Sequence, residues 1–282
     1  RGILRDELYC DDLRSLPETT SLTPIFQLLI NYPQLSGDEY RSLLAGLCLR
    51  LALGEPDSKT LGEFVYGAGS AASTAFKVIP KMVQTLDRTL DRPKLLRRLE
   101  GANSIQSRYV LLLYWLERRL KAQDFRYARV GNGKRLVGPE RMVEQGNTPE
   151  KQHLLPFNQA RALYPGDLRR GGSHRVNSIG NLTYISQALN SWDGGLGDSF
   201  ADLGADPLDN QRAHFLVRDE SDRAVLDSYE DLRKGLGGDA PRGGPDLKRT
   251  FDHMTARRRE LIAESALDWL REIDLTCLLY TS

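Results

Sequence analysis

The chain has 282 residues, 40% hydrophobic and 27% charged, the balance of an ordinary soluble globular protein with one large or two ordinary domains. Its formal net charge of +1 removes any case for a nucleic-acid partner from overall charge, so attraction to phosphate has to come from local basic patches. No apolar run approaches the length that spans a bilayer, and no secretory signal is visible. The cysteines Cys10, Cys48 and Cys277 are scattered and suggest neither a disulfide framework nor a zinc site, so a reducing, cytoplasmic setting fits.

The first part of the chain reads as helical. Tyr40, Leu43, Leu44, Leu47 and Leu51 recur at helical spacing over 38–53, with Gly37-Asp38 as a start and Gly54 as a stop. Shorter helices are predicted over 60–66 and 93–99. Another covers 71–90, with Pro80 expected to break or kink it. The strongest helix covers 104–120: Tyr109, Leu112, Leu113, Leu116 and Leu120 make an apolar stripe suited to a bundle core, Trp115 flanks it, and Glu117, Arg118 and Arg119 crowd its end.

Beyond residue 122 the pattern changes. Residues 125–130 and 134–137 flank Gly131-Asn132-Gly133, a hairpin signal; Gly133-Lys134 lacks the spacing of a P-loop. Gly146 to Pro149 reads as a turn. From Leu203, short apolar stretches alternate with acidic turns, and the Gly- and Pro-rich 235–245 reads as a loop. A closing amphipathic helix over 246–273 carries Phe251, Met254, Leu261, Ile262, Ala266, Trp269 and Leu270 near one face. Its Arg257-Arg258-Arg259 run reads as a solvated surface, with contact to phosphate as the other use.

Both ends read as truncated. The first residue is Arg1, and the closing Cys277 to Ser282 resembles the translation of a transposon end used to prepare sequencing libraries, so 277–282 is set apart as an adapter artefact.

Cutting a phosphodiester requires a base for water, charge neutralisation at the phosphorus and help for the leaving oxygen. A neutral His can supply the first and a divalent cation the other two. The stretch 151–190 carries such a set. His153 lies among Leu154, Leu155 and Phe157, with Pro156 stiffening the turn beyond it. A variable loop follows with Arg161, Arg169 and Arg170. Then comes Val176-Asn177-Ser178-Ile179-Gly180-Asn181-Leu182-Thr183-Tyr184-Ile185, and Asn190 closes the next run.

This succession, His-Leu-Leu-Pro, then Val-Asn-Ser-Ile-Gly-Asn-Leu-Thr-Tyr-Ile, then Leu-Asn, resembles the C-terminal HNH nuclease domain of GmrSD-type restriction endonucleases. Asp198-Ser199-Phe200, Ala213-His214-Phe215-Leu216 and the Arg-rich helix over 251–269 are similar to later blocks of that family. The resemblance implies an α+β chain. Residues 1–122 are the helical spacer that follows a ParB-like domain, and 123–276 are a ββα-metal nuclease domain with extra helices. It also implies hydrolysis of DNA with Mg²⁺ or Mn²⁺ in a modification-dependent, phage-defence system.

The implied roles are His153 as general base, Asn190 as a metal ligand through its amide oxygen, and Asn181, with Asn177, as structural support of the site. The position before the histidine is usually an acid or a second histidine that binds the metal. Here it is Gln152, a weaker neutral ligand, with Glu150 or Asp193 as alternative carboxylates. Arg161, Arg169, Arg170 and Arg175 are the expected backbone contacts to DNA.

Plainer roles exist for each residue. His153 and His174 could be turn or loop histidines, Asn177 and Asn181 turn residues, Asn190 a helix cap and Trp192 a packing residue; His214 and His253 read as structural. A degenerate HNH domain that binds DNA without cutting, and a helical interaction module, are the two rival functions. Self-association as a homo-oligomer is left open.

Overall fold

The structure is a computed structural model and describes residues 23–36, 40–54, 75–88, 90–104, 109–122, 127–130, 133–136, 149–167, 174–186, 207–236 and 245–280. Within them the chain is an α+β protein, mostly helical, with two small two-stranded antiparallel sheets. The elements are α1 (Thr23–Asn31), α2 (Arg41–Leu53), α3 (Ala75–Asp87), α4 (Arg92–Gly101), α5 (Tyr109–Arg119), β1 (Tyr127–Val130), β2 (Gly133–Leu136), β3 (Pro149–His153), α6 (Phe157–Ala160), β4 (Leu182–Ser186), α7 (Pro207–Phe215), α8 (Ala224–Leu236) and α9 (Pro245–Tyr280). They group into two compact units, residues 1–98 with 263–282, and residues 99–262. No helix among the described residues is long and apolar enough to cross a membrane.

In the first unit α2 is the core helix. Its predicted Leu44, Leu47 and Leu51 are buried, but so are Ala45, Cys48 and Leu49, so nearly its whole circumference is covered. Arg50 is the charged exception. Its Nε donates to Asp87 and its Nη2 to Asp274, each at 2.7 Å, so the buried guanidinium has a carboxylate on either side. Of the break or kink expected at Pro80, the break does not occur, since α3 runs through it. Ile79, Met82 and Leu86 are buried while Pro80 is exposed, so the lost N–H and the ring fall on the side that water can serve. The predicted helix over 60–66 lies outside the described residues.

In the second unit β1 and β2 pair antiparallel, with Val130 opposite Gly133, on either side of the predicted hairpin turn. α5, placed by sequence in the spacer, packs in this unit beside β4. Tyr109, Leu112, Leu113, Trp115 and Leu116 are buried, and the helix closes through Lys121 at φ 58°, where the Lys121 amide donates to Arg118 O and the Ala122 amide to Glu117 O. The stretch read as short apolar pieces with acidic turns is helical instead, as α7 and α8. Val225, Leu226, Tyr229, Leu232 and Leu236 form the buried face of α8.

The main departure from expectation is at Arg257-Arg258-Arg259, which is not a solvated face. Arg258 is 0% exposed. Its Nη1 donates to Leu182 O, Gly180 O (3.3 Å) and Ile179 O (3.4 Å), and its Nη2 to His214 O (2.6 Å) and Glu117 Oε1 (3.2 Å). Burial pulls its pKa down to about 10, against the opposing pull of Glu117. Glu117 in turn accepts from Thr183 Oγ1 (2.9 Å) and the Tyr184 amide (3.0 Å). Arg257 pairs with buried Asp222, and Arg259 donates to Ser178 Oγ.

Two consequences follow for stability. Removing one partner of a buried pair strands the other charge, so Arg258→Ala is expected to cost about 3–5 kcal/mol in urea unfolding; a loss below about 1 kcal/mol contradicts the burial. Lys121 bears the left-handed backbone without need of its side chain, so Lys121→Gly is expected to stabilise by about 0.5 kcal/mol, read as a higher urea midpoint at unchanged slope.

Candidate functional site

β3 and β4 form an antiparallel ribbon in which Gln152 faces Thr183 and His153 faces Leu182. The sequence explains which strand is buried. In β4, Leu182, Thr183, Tyr184 and Ile185 are all buried, while β3 has exposed Lys151 and half-buried Gln152 and His153. His153 is the last residue of β3. The chain then turns through buried Leu154 and Leu155 and enters the short α6 behind Pro156. The His153 imidazole is thus carried on a partly open edge, fixed to a closed strand.

The Val176–Asn181 block supplies the partners. His153 Nε2 lies 2.8 Å from Asn177 Oδ1. An amide oxygen can only accept, so Nε2 carries the proton and Nδ1 keeps its lone pair. Among the described residues Nδ1 makes no hydrogen bond. Burial holds the His153 pKa below the ordinary imidazole value of about 6.5, against a smaller upward push from the Asn177 bond. The ring at neutral pH is therefore an uncharged base with its accepting nitrogen open.

Asn181 is fully buried and clamps the turn after His153. Its Oδ1 accepts from the Leu155 amide (3.0 Å), its Nδ2 donates to Leu155 O (3.2 Å) and Val176 O (3.1 Å), and its own carbonyl accepts from the Leu154 amide (2.8 Å). Gly180 permits the closest approach in this region: a Cβ there would sit 2.3 Å from Thr255 O of α9. Ser178 and His174 cap the two 3₁₀ turns of the block through the Gly180 and Val176 amides. His174 is therefore a buried turn residue.

The other expected residues divide into three groups. Arg161 and Arg175 are exposed, at the starts of the 3₁₀ turns Arg161–Leu163 and Arg175–Asn177. Asn190, Asp193, Arg169, Arg170 and Trp192 lie outside the described residues. Gln152 Oε1 accepts from the His153 amide at 2.8 Å, so this amide oxygen serves the backbone beside it. Among the described residues no three or more His, Cys, Asp or Glu converge as a cation site. Those residues do not by themselves make a metal centre.

Sequence reasoning passed over Glu117, Thr183 and Arg258. Thr183 Oγ1 donates to Glu117, so His214 Nδ1, 2.8 Å away, donates to Thr183. A signal for Arg258 was present: it falls on the helical face of Phe251, Met254 and Ile262, four residues from each of the last two. No protein-family model matches the chain, no curated protein is significantly similar to it, and no solved structure matches it.

Two measurements test this geometry. The His153 imidazole is expected to titrate below 6.5 by NMR. The folded state disfavours its imidazolium, so this residue's effect on stability is absent above about pH 6.5 and becomes a loss as pH falls through that value. Titration at or above 6.5 contradicts the account. Asn181→Ala strands buried backbone groups and is expected to cost about 3 kcal/mol in urea unfolding; a near-neutral result sinks the clamp.

Proposed function

We propose that this chain is a metal-dependent endonuclease of the HNH type, hydrolysing DNA phosphodiester bonds in the cytoplasm as part of a modification-dependent restriction system of the GmrSD kind. The observation that carries the reading is the His153–Asn177 bond. It turns an isolated histidine into a neutral imidazole of defined tautomer, with Nδ1 able to take a proton from water. The setting supports it. A histidine at the end of one strand, followed by a clamped loop and an antiparallel second strand, is the arrangement that the ββ portion of a ββα-metal site would need. In this reading Arg161, Arg169, Arg170 and Arg175 hold the DNA backbone. The cofactor is Mg²⁺ or Mn²⁺ with Asn190 and Gln152 as ligands, and when bound it neutralises charge at the phosphate.

A second reading, a degenerate HNH domain that binds DNA without cutting, is favoured by one observation: Gln152 stands where a metal-binding acid or histidine belongs, and its oxygen is engaged by the neighbouring amide.

Supercoiled plasmid with Mg²⁺ or Mn²⁺ separates the two. The nuclease reading predicts nicking that EDTA abolishes and that falls at least about 100-fold in His153→Ala. Equal nicking by both proteins removes His153 from the chemistry. Plasmid binding without nicking by the unaltered chain establishes the second reading in its place.

A further inference from the structure

An open cleft of about 530 Å³ lies beside the candidate site, within the second unit. Tyr164, Pro165, Gly166, Asp167, Arg175 and Lys248 are among its lining. Two cations lie near one ring: Lys248 Nζ is 5.1 Å and Arg175 Cζ 5.9 Å from the Tyr164 ring centroid. Tyr164 is held as a neutral phenol, because burial and its hydrogen bond to Asp252 push its pKa up. The aromatic floor therefore adds no negative charge.

The two cations differ in how they are held. The exposed Arg175 guanidinium has no carboxylate partner among the described residues. Lys248 pairs with Asp252, but both side chains are open to water, and a pair of that kind is worth at most about 1 kcal/mol. Its ammonium can be shared with an arriving anion at little cost. The carboxylate in the lining, Asp167, is 9% exposed and faces His174 Nε2 at 3.9 Å.

The cleft is joined to His153 by a continuous run of rings. His153 to Phe157 is 5.7 Å between centroids, Phe157 to His174 is 5.3 Å, and His174 to Tyr164 is 6.2 Å. A DNA strand presents a phosphate about every 3.4 Å along the helix axis, so a backbone seated at His153 carries other phosphates past a cleft this close.

We propose that the Tyr164 cleft seats a backbone phosphate of the bound nucleic acid away from the scissile bond, with Arg175 and Lys248 as its cationic contacts. It rests on the nuclease reading for its ligand, and it adds Lys248 and Tyr164 to residues that sequence did not connect with phosphate. A guanidinium offers a planar fork and an ammonium a point charge; lining one cleft with a neutral ring, they suit a tetrahedral oxyanion and read no base.

The test is binding of a random-sequence duplex oligonucleotide by the full chain in EDTA, as a function of salt. Each of Arg175→Ala and Lys248→Ala is expected to reduce the slope of log K against log salt by about 0.9 and to weaken binding about tenfold near 0.1 M salt. The effect should be the same for unrelated sequences. Arg223→Ala, which removes an exposed charge outside the cleft, should leave the slope unchanged, and Arg175→Lys should restore it. Slopes equal to the unaltered chain's for both cleft variants, or equal losses in Arg223→Ala, overturn the proposal. Because EDTA suppresses cutting, the outcomes separate. Slope losses in a chain that never nicks plasmid uphold the phosphate seat without the nuclease, and nicking with unchanged slopes does the reverse.

Discussion

The Arg258–Glu117 pair is the interaction on which the second unit depends. Taking a guanidinium and a carboxylate out of water costs several kcal/mol each, and their mutual attraction offsets that only when hydrogen bonds satisfy the remaining groups. Here four of the acceptors besides Glu117 are backbone carbonyls, and of the Arg258 nitrogens only Nε has no hydrogen-bond partner among the described residues. Ile179 and Gly180 open the 3₁₀ turn Ile179–Asn181, Leu182 begins β4, and His214 lies in the last turn of α7. A carbonyl in the last turn of a helix, such as that of His214, has no partner within the helix, and the Ile179 carbonyl takes Arg258 beside the Leu182 amide. Three of the last four carbonyls of α7 find their partners this way: Arg212 O accepts from Val217, Ala213 O from Leu216, and His214 O from Arg258.

From that pair the order reaches the imidazole through short links. Arg258 and Gly180 bring α9 against the turn that precedes β4. The same turn carries Asn177 and Asn181, one bonded to His153 and the other to the backbone just beyond it. Glu117 holds β4 through Thr183 and Tyr184, and β4 pairs along all of β3. His153 thus sits on a strand whose position is set by buried polar contacts, the support that the proposed base would need. Apolar packing alone would leave the turn free to slide, because leucines fit many registers and a guanidinium with four carbonyl acceptors fits one.

How much of this was legible in the sequence depends on the kind of interaction. Apolar periodicity located α2 to within three residues, the end of α5 to within one and the start of α9 to within one, because burial of one face imposes the spacing directly, while α9 runs seven residues beyond its expected end. The Gly131-Asn132-Gly133 signal sat between strands that do pair. The α7 and α8 helices were missed because charged and acidic residues interrupt their short apolar stripes, and tertiary packing decided the matter. In the candidate site, His153, Asn177 and Asn181 could be singled out as a group, but the His153–Asn177 bond could not, since it joins residues 24 apart in sequence. The inward turn of Arg258 was hidden by its neighbours. Three adjacent arginines suggest a solvated face, yet a helix sends successive residues about 100° apart, and only the middle one falls on the apolar side.

The central claim is that His153 works as a neutral base held by Asn177, and the pH dependence of plasmid nicking tests it most directly. The account predicts kcat/KM rising with pH to a plateau through an inflection below 6.5, and a lower inflection in Asn177→Ala, because the lost bond is the contact that pushes the His153 pKa up. An inflection at or above 6.5, a profile with no such limb, or an inflection that Asn177→Ala raises would contradict it.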